Sequence, residues 1–284
     1  MSMIEGYQTI CLNSNNLETN GFNNKYSLQF PSGFTVDENT SIAISQVSLF
    51  FSWFNISSTL GNNRLDIIFP TSTTPQTVSL TIPDGYYSVS TLNDYLQTIM
   101  ITYGLYMTDS NSNNVYYIEV VENPTYYTVD FNFYTIPTTT PSGYVSHFST
   151  LPSIATTPQI TIPAGGNFST YCGITAGTYP ATTTASTTQS SLTTPQVDNV
   201  QSIILSCDAI DNRLSDRPNM LYSFPINSKF GGLITSNPNE YMWMSPRRGT
   251  LPRISLEFLD QNYNKINMKD TNILISLVIK RERP

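Results

Sequence analysis

Apolar and polar residues alternate in short runs at both ends of this chain, with a long stretch of different character between. Tyr7, Thr9 and Cys11 fall on one side of a first strand, and Ile10 and Leu12 on the other. The Asn-rich stretch 13–24, with Gly21, reads as a loop. Tyr26, Leu28 and Phe30 alternate until Pro31-Ser32-Gly33, which is expected to stop that strand. Ile42 and Ile44 alternate next, and the apolar set then moves to Val47, Leu49 and Phe51. A one-residue change of phase inside a strand is what a β-bulge produces. Leu65, Ile67 and Phe69 form a fourth run, closed by Pro70. Alternation resumes at Ile203, Leu205, Cys207 and Ala209. Leu221–Ile226 contains Pro225 and so predicts an edge strand. Ile254, Leu256 and Phe258 follow, then the turn-rich Asp260–Asn264. Ile273, Ile275, Leu277 and Ile279 make the last run, with Leu274 and Val278 on its second face. Apolarity on both faces predicts a central strand, with Thr40–Phe51 as its neighbour.

The middle, about 71–197, opens with Val78, Leu80 and Ile82 and the turn Pro83-Asp84-Gly85. Leu92, Leu96, Ile99, Met100 and Tyr103 recur at helical spacing, predicting a helix over about 90–103. Ser88 or Ser90 can cap it and Gly104 stop it. Val115–Val121 and Tyr127–Ile136, split by Glu122-Asn123-Pro124, read as a hairpin. From 137 onward Thr, Ser, Pro and Gly dominate, with one strand candidate at Gln159–Ile162. Ala181–Pro195 is low in complexity and reads as an extended crossover or a mobile loop. The expected fold is all-β: a single jelly roll, an eight-stranded β-sandwich, carrying a large, mainly β insertion domain between its fourth and fifth strands. The expected boundaries are 1–70 and 198–284 for the two jelly-roll halves and 71–197 for the insert.

Composition narrows the reading. Charged residues are only 12% of the chain and aromatic ones 12%, so the surface is hydroxyl- and aromatic-rich. A net charge of -7 lacks the footprint of a nucleic-acid binder. Arg247, Arg248 and Arg253, and Lys280, Arg281 and Arg283, are local basic groups. They read either as solvated charges or as a basic underside worth a few phosphate contacts. Three cysteines without C-x-x-C spacing argue against a disulfide framework. The start lacks the charged and apolar regions of a signal peptide, and no stretch approaches a membrane span. Asn55-Ile56-Ser57 and Asn167-Phe168-Ser169 match the glycosylation pattern, but without a leader they read as chance. The expectation is a soluble protein made inside a cell, with reduced thiols.

Candidate chemistry is sparse. His147 is the sole histidine, so any Ser–His–Asp triad must run through it. Cys172 or Cys207 could pair with it, but Cys207 lies in the inward phase of a strand and Cys172 lacks a basic neighbour. Asp208, Asp211 and Asp216 around Asn212 could share a calcium ion, although the spacing is not that of an EF-hand. The alternative is a solvated strand end. No catalytic residue, cofactor or metal is assigned. Phe50, Phe51, Trp53 and Phe54 crowd one strand end, and Tyr241 and Trp243 precede Pro246-Arg247-Arg248. Core packing accounts for many aromatics, but runs with aromatics on both faces exceed what one sandwich hides. Exposed apolar patches rimmed by Arg are typical of subunit contacts.

Ile82-Pro83-Asp84-Gly85-Tyr86-Tyr87 through Leu96 resembles a strand–turn–helix segment of minor capsid (penton) proteins of virophages and related polinton-type double-stranded DNA viruses. Ile254–Asp260 followed by Ile273–Ile279, and Ile203–Asp208 through Phe224-Pro225, are similar to the same family. The resemblance touches most of 78–100 and 200–280. It implies one jelly roll, five copies at each icosahedral vertex, contact with the major capsid protein, and in some members an outward insertion domain able to meet a host receptor. It implies no catalytic residues, no membrane span, weak or absent nucleic-acid contact, and a place in the virion after synthesis in host cytoplasm. The Thr/Ser-rich tract has no counterpart in that pattern. A trimeric fibre or spike head binding a host receptor or glycan is the alternative reading, and a non-viral carbohydrate-binding jelly roll the third.

Overall fold

The computed structural model describes residues 6–212 and 217–281. The chain divides into two compact units, residues 1–53 with 200–284, and residues 54–199. In the first unit the chain runs through β1 (Gly6–Asn13), β2 (Lys25–Val36) and β3 (Thr40–Phe50).

It then leaves for the middle unit. There β4 (Arg64–Phe69) and β5 (Gln76–Thr81) precede α1 (Val89–Thr102). The short β6 (Met107–Thr108) and β7 (Asn114–Val115) lead to β8 (Ile118–Asn123) and β9 (Thr128–Phe133). β10 (Val145–Ser146), β11 (Gln159–Ile162), α2 (Phe168–Cys172), β12 (Gly177–Tyr179) and β13 (Thr187–Ser190) complete it. Its sheets have the orders β12-β11-β4-β5, β13-β9-β8 and β10-β6-β7. Ser88 Oγ accepts from the Thr91 N–H at 3.2 Å and caps α1, and Val89, Leu92, Leu96 and Met100 turn its apolar stripe inward. That stripe joins Ile67, Phe69, Ile118, Phe131 and Phe133 in one buried core.

Back in the first unit come β14 (Ser202–Cys207), β15 (Met220–Pro225), β16 (Leu233–Ser236), β17 (Gly249–Asp260) and β18 (Ile273–Arg281). The two sheets have the orders β1-β18-β3-β16 and β15-β14-β17-β2. Successive strands cross between the sheets in the pattern of two Greek keys, which is the jelly roll. β18 lies between β1 and β3 in antiparallel register. Ile275, Leu277 and Ile279 are buried on one face of it, with Ile42, Ile44, Val47 and Leu49 of β3. The register of β3 slips at Ser45, between Ser276↔Gln46 and Leu277↔Ile44, which is the bulge that the change of apolar phase foretold.

Four elements differ from expectation. Leu65, Ile67 and Phe69 do form a strand, but β4 pairs with β5 and β11 inside the middle unit. The fourth jelly-roll strand is therefore β14, and the first half of the sandwich ends at Trp53 rather than near 70. Alternation marks a strand; it does not name the partner. The sixth jelly-roll strand is β16, unforeseen because its single buried residue, Ile234, is too little signal to read. β2 continues through Pro31 to Val36, with a register break opposite Leu251/Arg253; Pro is tolerated because β2 is an edge. Ala181–Pro195 contains β13, which pairs with all of Asp130–Phe133. Ser186 Oγ accepts from the Thr135 N–H at 2.9 Å and Ser191 Oγ from the Val129 N–H at 2.8 Å, so hydroxyls fasten a strand that has no apolar residue.

Charge is divided as sharply as the fold. Residues 54–199 hold Asp66, Asp84, Asp94, Asp109, Glu119, Glu122, Asp130 and Asp198 against Arg64 alone. Eight acids less one base give -7, the formal charge of the whole chain, so the remaining residues are balanced.

Candidate functional site

The residues singled out for chemistry are structurally employed. His147 stacks on Tyr106, with centroids 4.2 Å apart, and its Nε2 lies 3.0 Å from Thr108 Oγ1. No carboxylate takes part in that arrangement. Cys172 sits in the last turn of α2, its thiol 3.3 Å from the Phe168 carbonyl, and burial pushes its pKa up to about 12. Cys207 is buried at the end of β14 and is likewise pushed up to about 12. Neither is a thiolate at neutral pH. Cys11 is exposed, 3.6 Å from Ser276 Oγ.

Of the acidic trio, Asp208 and Asp211 fall among the described residues. Asp208 Oδ1 accepts from the Ser255 N–H at 2.8 Å, and its Oδ2 lies 3.9 Å from Arg253 Nε. Asp216 lies outside the described residues. Among the described residues no group of three His, Cys, Asp or Glu is placed to hold a metal.

Several of the basic groups have partners. Arg253 lies 3.6 Å from Glu18, which pairs with Lys25 at 2.7 Å. Ser27 donates to the same carboxylate, and Ser27 and Ser255 share a hydrogen bond of 2.6 Å across β2 and β17. Lys25 and then Ser27, as hydrogen-bond donors, hold the Glu18 carboxyl below its ordinary value. Arg248 meets Glu38 at 3.5 Å, both well exposed. Arg281 belongs to β18 rather than to a free tail: it donates to the Thr35 carbonyl at 2.9 Å and stands 5.0 Å over the Phe34 ring. Arg283 lies outside the described residues.

Of the aromatics, Phe51 and Trp53 are buried and stacked, centroids 4.4 Å apart. Tyr241 and Trp243 behave differently. Their rings meet at 5.3 Å, and Tyr7 of β1 approaches Trp243 at 6.3 Å. Tyr7, Tyr241 and Met242 are 55%, 44% and 53% exposed. The isolated bridge Ile42↔Met244 sets the 241–244 segment beside β3 on the side away from β18, and the Tyr7–Trp243 ring contact spans back over the sheet to β1. The sequence reading placed Tyr7 in the first strand but did not link it to Trp243, because only the folded chain brings the two rings together.

The first glycosylation pattern is not an open acceptor. Asn55 is buried; its Nδ2 donates to the Tyr87 and Val197 carbonyls at 2.7 and 2.9 Å, and its Oδ1 accepts from the Tyr87 N–H at 2.8 Å. This side chain joins the entry of the middle unit to its exit. Asn167 Nδ2 donates to the Leu60 carbonyl at 2.7 Å. Among the described residues no helix is long and apolar enough to cross a membrane.

No protein-family model matches the chain, and no curated protein matches it. Solved structures do. The mavirus penton protein aligns over 100% of both chains at 10% identity, with a TM-score of 0.46. A chain of the Sputnik virophage structure aligns over 98% of both at 12% identity, with a TM-score of 0.41.

Proposed function

We propose that this chain is a structural subunit of an icosahedral viral capsid and forms its pentameric vertex. The observation that carries the reading is the pair of four-stranded sheets β1-β18-β3-β16 and β15-β14-β17-β2, a jelly roll interrupted by one large inserted unit. The resemblance of Ile82–Leu96 and Ile254–Ile279 to penton segments supports the same assignment. The candidate nucleophiles, bases and carboxylates are engaged in packing or hydrogen bonds, which favours assembly over catalysis. The partners are four further copies of the chain and the surrounding major capsid protein, and the location is the virion, supplied from the host cytoplasm. The acidic insert is the unit offered to a host receptor, and no nucleic-acid contact is needed.

Native mass measurement and electron-microscope class averages of the purified chain, alone and co-expressed with the shell protein, test this. A five-fold ring at the particle vertex is expected. A stable trimer would replace the reading with a fibre or spike head. A monomer that never enters particles would end it.

A further inference from the structure

The sheet β1-β18-β3-β16 ends on β1, and among the described residues no strand pairs with the far side of β1. A sheet edge presents a row of unpaired N–H and C=O groups, and proteins normally blunt such edges with proline, charge, bulges or short length. The jelly roll does this at its other three edges. β2 carries Lys25 and Pro31 and a register break against β17. β15 ends on Pro225 and has a register break against β14. β16 is only 4 residues long.

β1 has none of these devices. Its 8 residues, Gly6–Asn13, run in unbroken register with β18 and include neither proline nor charge. It is also the least covered strand of the sandwich. Gln8, Ile10 and Leu12 share one phase, yet only Leu12 is buried, Ile10 is partly covered and Gln8 is exposed. An edge of this kind accepts one class of ligand, an extended polypeptide whose main chain continues the ladder.

We propose that β1 is a strand-accepting edge, completed in the particle by an extended arm of the neighbouring shell protein that adds as a fifth strand. The inference rests on the vertex reading above and names its partner. A second copy of this chain is the poorer source. The other jelly-roll edges are interrupted, and β1 against β1 makes a two-fold contact that does not close a five-fold ring. β1 itself carries no charge. An arm with little charge fits best. Tyr7, exposed at the Gly6 end of β1, adds an aromatic side chain to the edge strand itself.

Hydrogen exchange of the segment 6–13 tests this, comparing the free chain with particles formed by co-expression with the shell protein. In the free chain the edge-facing amides of β1, apart from Asn13, which donates to Asn16 Oδ1, are expected to exchange quickly and those facing β18 slowly. In particles the edge-facing set should slow by about tenfold or more. A Thr9→Lys/Cys11→Lys chain changes exposed side chains only. It is expected to melt as wild type does and to enter particles at about a tenth of the wild-type level or less, because edge lysines oppose strand addition. Wild-type particles whose β1 exchanges as fast as in the free chain would overturn the strand-accepting edge and leave the vertex reading standing. Slowing in the free chain that grows with its concentration would assign the edge to self-pairing and overturn the shell arm. A wild-type chain that never enters particles would overturn both readings.

Discussion

Ile275 has no accessible surface, and its neighbours in the same phase, Leu277 and Ile279, are buried with it. Burying an apolar side chain of this size contributes about 1.5–3 kcal/mol. Ile275→Asp leaves an unpaired carboxylate in that interior, at a cost of several kcal/mol. The expected outcome is an unfolded jelly roll by near-ultraviolet circular dichroism; a native spectrum would remove β18 from the core. Arg281→Ala is milder. It removes a bond to the Thr35 carbonyl and a cation over Phe34, so a loss of about 1 kcal/mol in urea unfolding is expected. An unchanged midpoint would mean that Arg281 does not fasten β18 to β2. Glu18 gives a pH dependence. Its folded pKa lies below the ordinary 4.5, so the stability it contributes is present above that value and is lost as pH falls through the lowered folded pKa. Glu18→Gln should flatten the decline in melting temperature below about pH 4.5. An acid limb identical to wild type would show that Lys25 and Ser27 do not matter to folding.

At the level of elements, apolar periodicity revealed the strands that bury a regular face and missed those that do not. β18 and α1 were legible because their buried residues recur mainly at 2.0 or 3.6 positions, and β14 because Ile203–Cys207 is a continuous, mostly apolar buried run. β13, Thr187–Ser190, has no apolar residue at all; ladder bonds to β9 and Ser/Thr hydroxyls hold it. β4 was legible as a strand while its membership was not, since its partners lie in β5 and β11. The same limit applies to the candidate site. The absence of charge in Gly6–Asn13 is plain in the sequence, but only the sheet order makes it an unprotected edge. Asp208 looked like a ligand until Ser255 was found on its carboxylate. Because Asn55 holds the entry of the middle unit to Val197 near its exit, residues 54–199 expressed alone should fold. A cooperative melt with native-like strand content checks this. A molten fragment would show that the unit depends on the sandwich, and Asn55→Ala should lower the fragment's stability by about 1–3 kcal/mol for the buried carbonyls left without a donor.

For the molecule as a whole, the two units differ most in charge. The fragment 54–199 carries the full formal charge of -7 and should be retained on an anion exchanger at pH 7 to higher salt than the balanced sandwich. Equal elution would mean that this charge is masked. The interleaved topology has a further consequence for how the protein is made. Every ladder partner of β4, β5, β8, β9 and β11 lies within 54–199, whereas the partners of β3 are Leu233–Ser236 and Ile273–Arg281. At about 5–20 residues per second, a ribosome needs roughly 10–45 s to travel from the end of β3 to the end of β18. The middle unit can be finished within that interval. The apolar strand Thr40–Phe50 meanwhile waits without a neighbour on either side. An unpaired apolar strand in a nascent chain is an aggregation hazard. The yield of this protein should therefore depend on chaperones that cover the emerging N-terminal strands until translation ends.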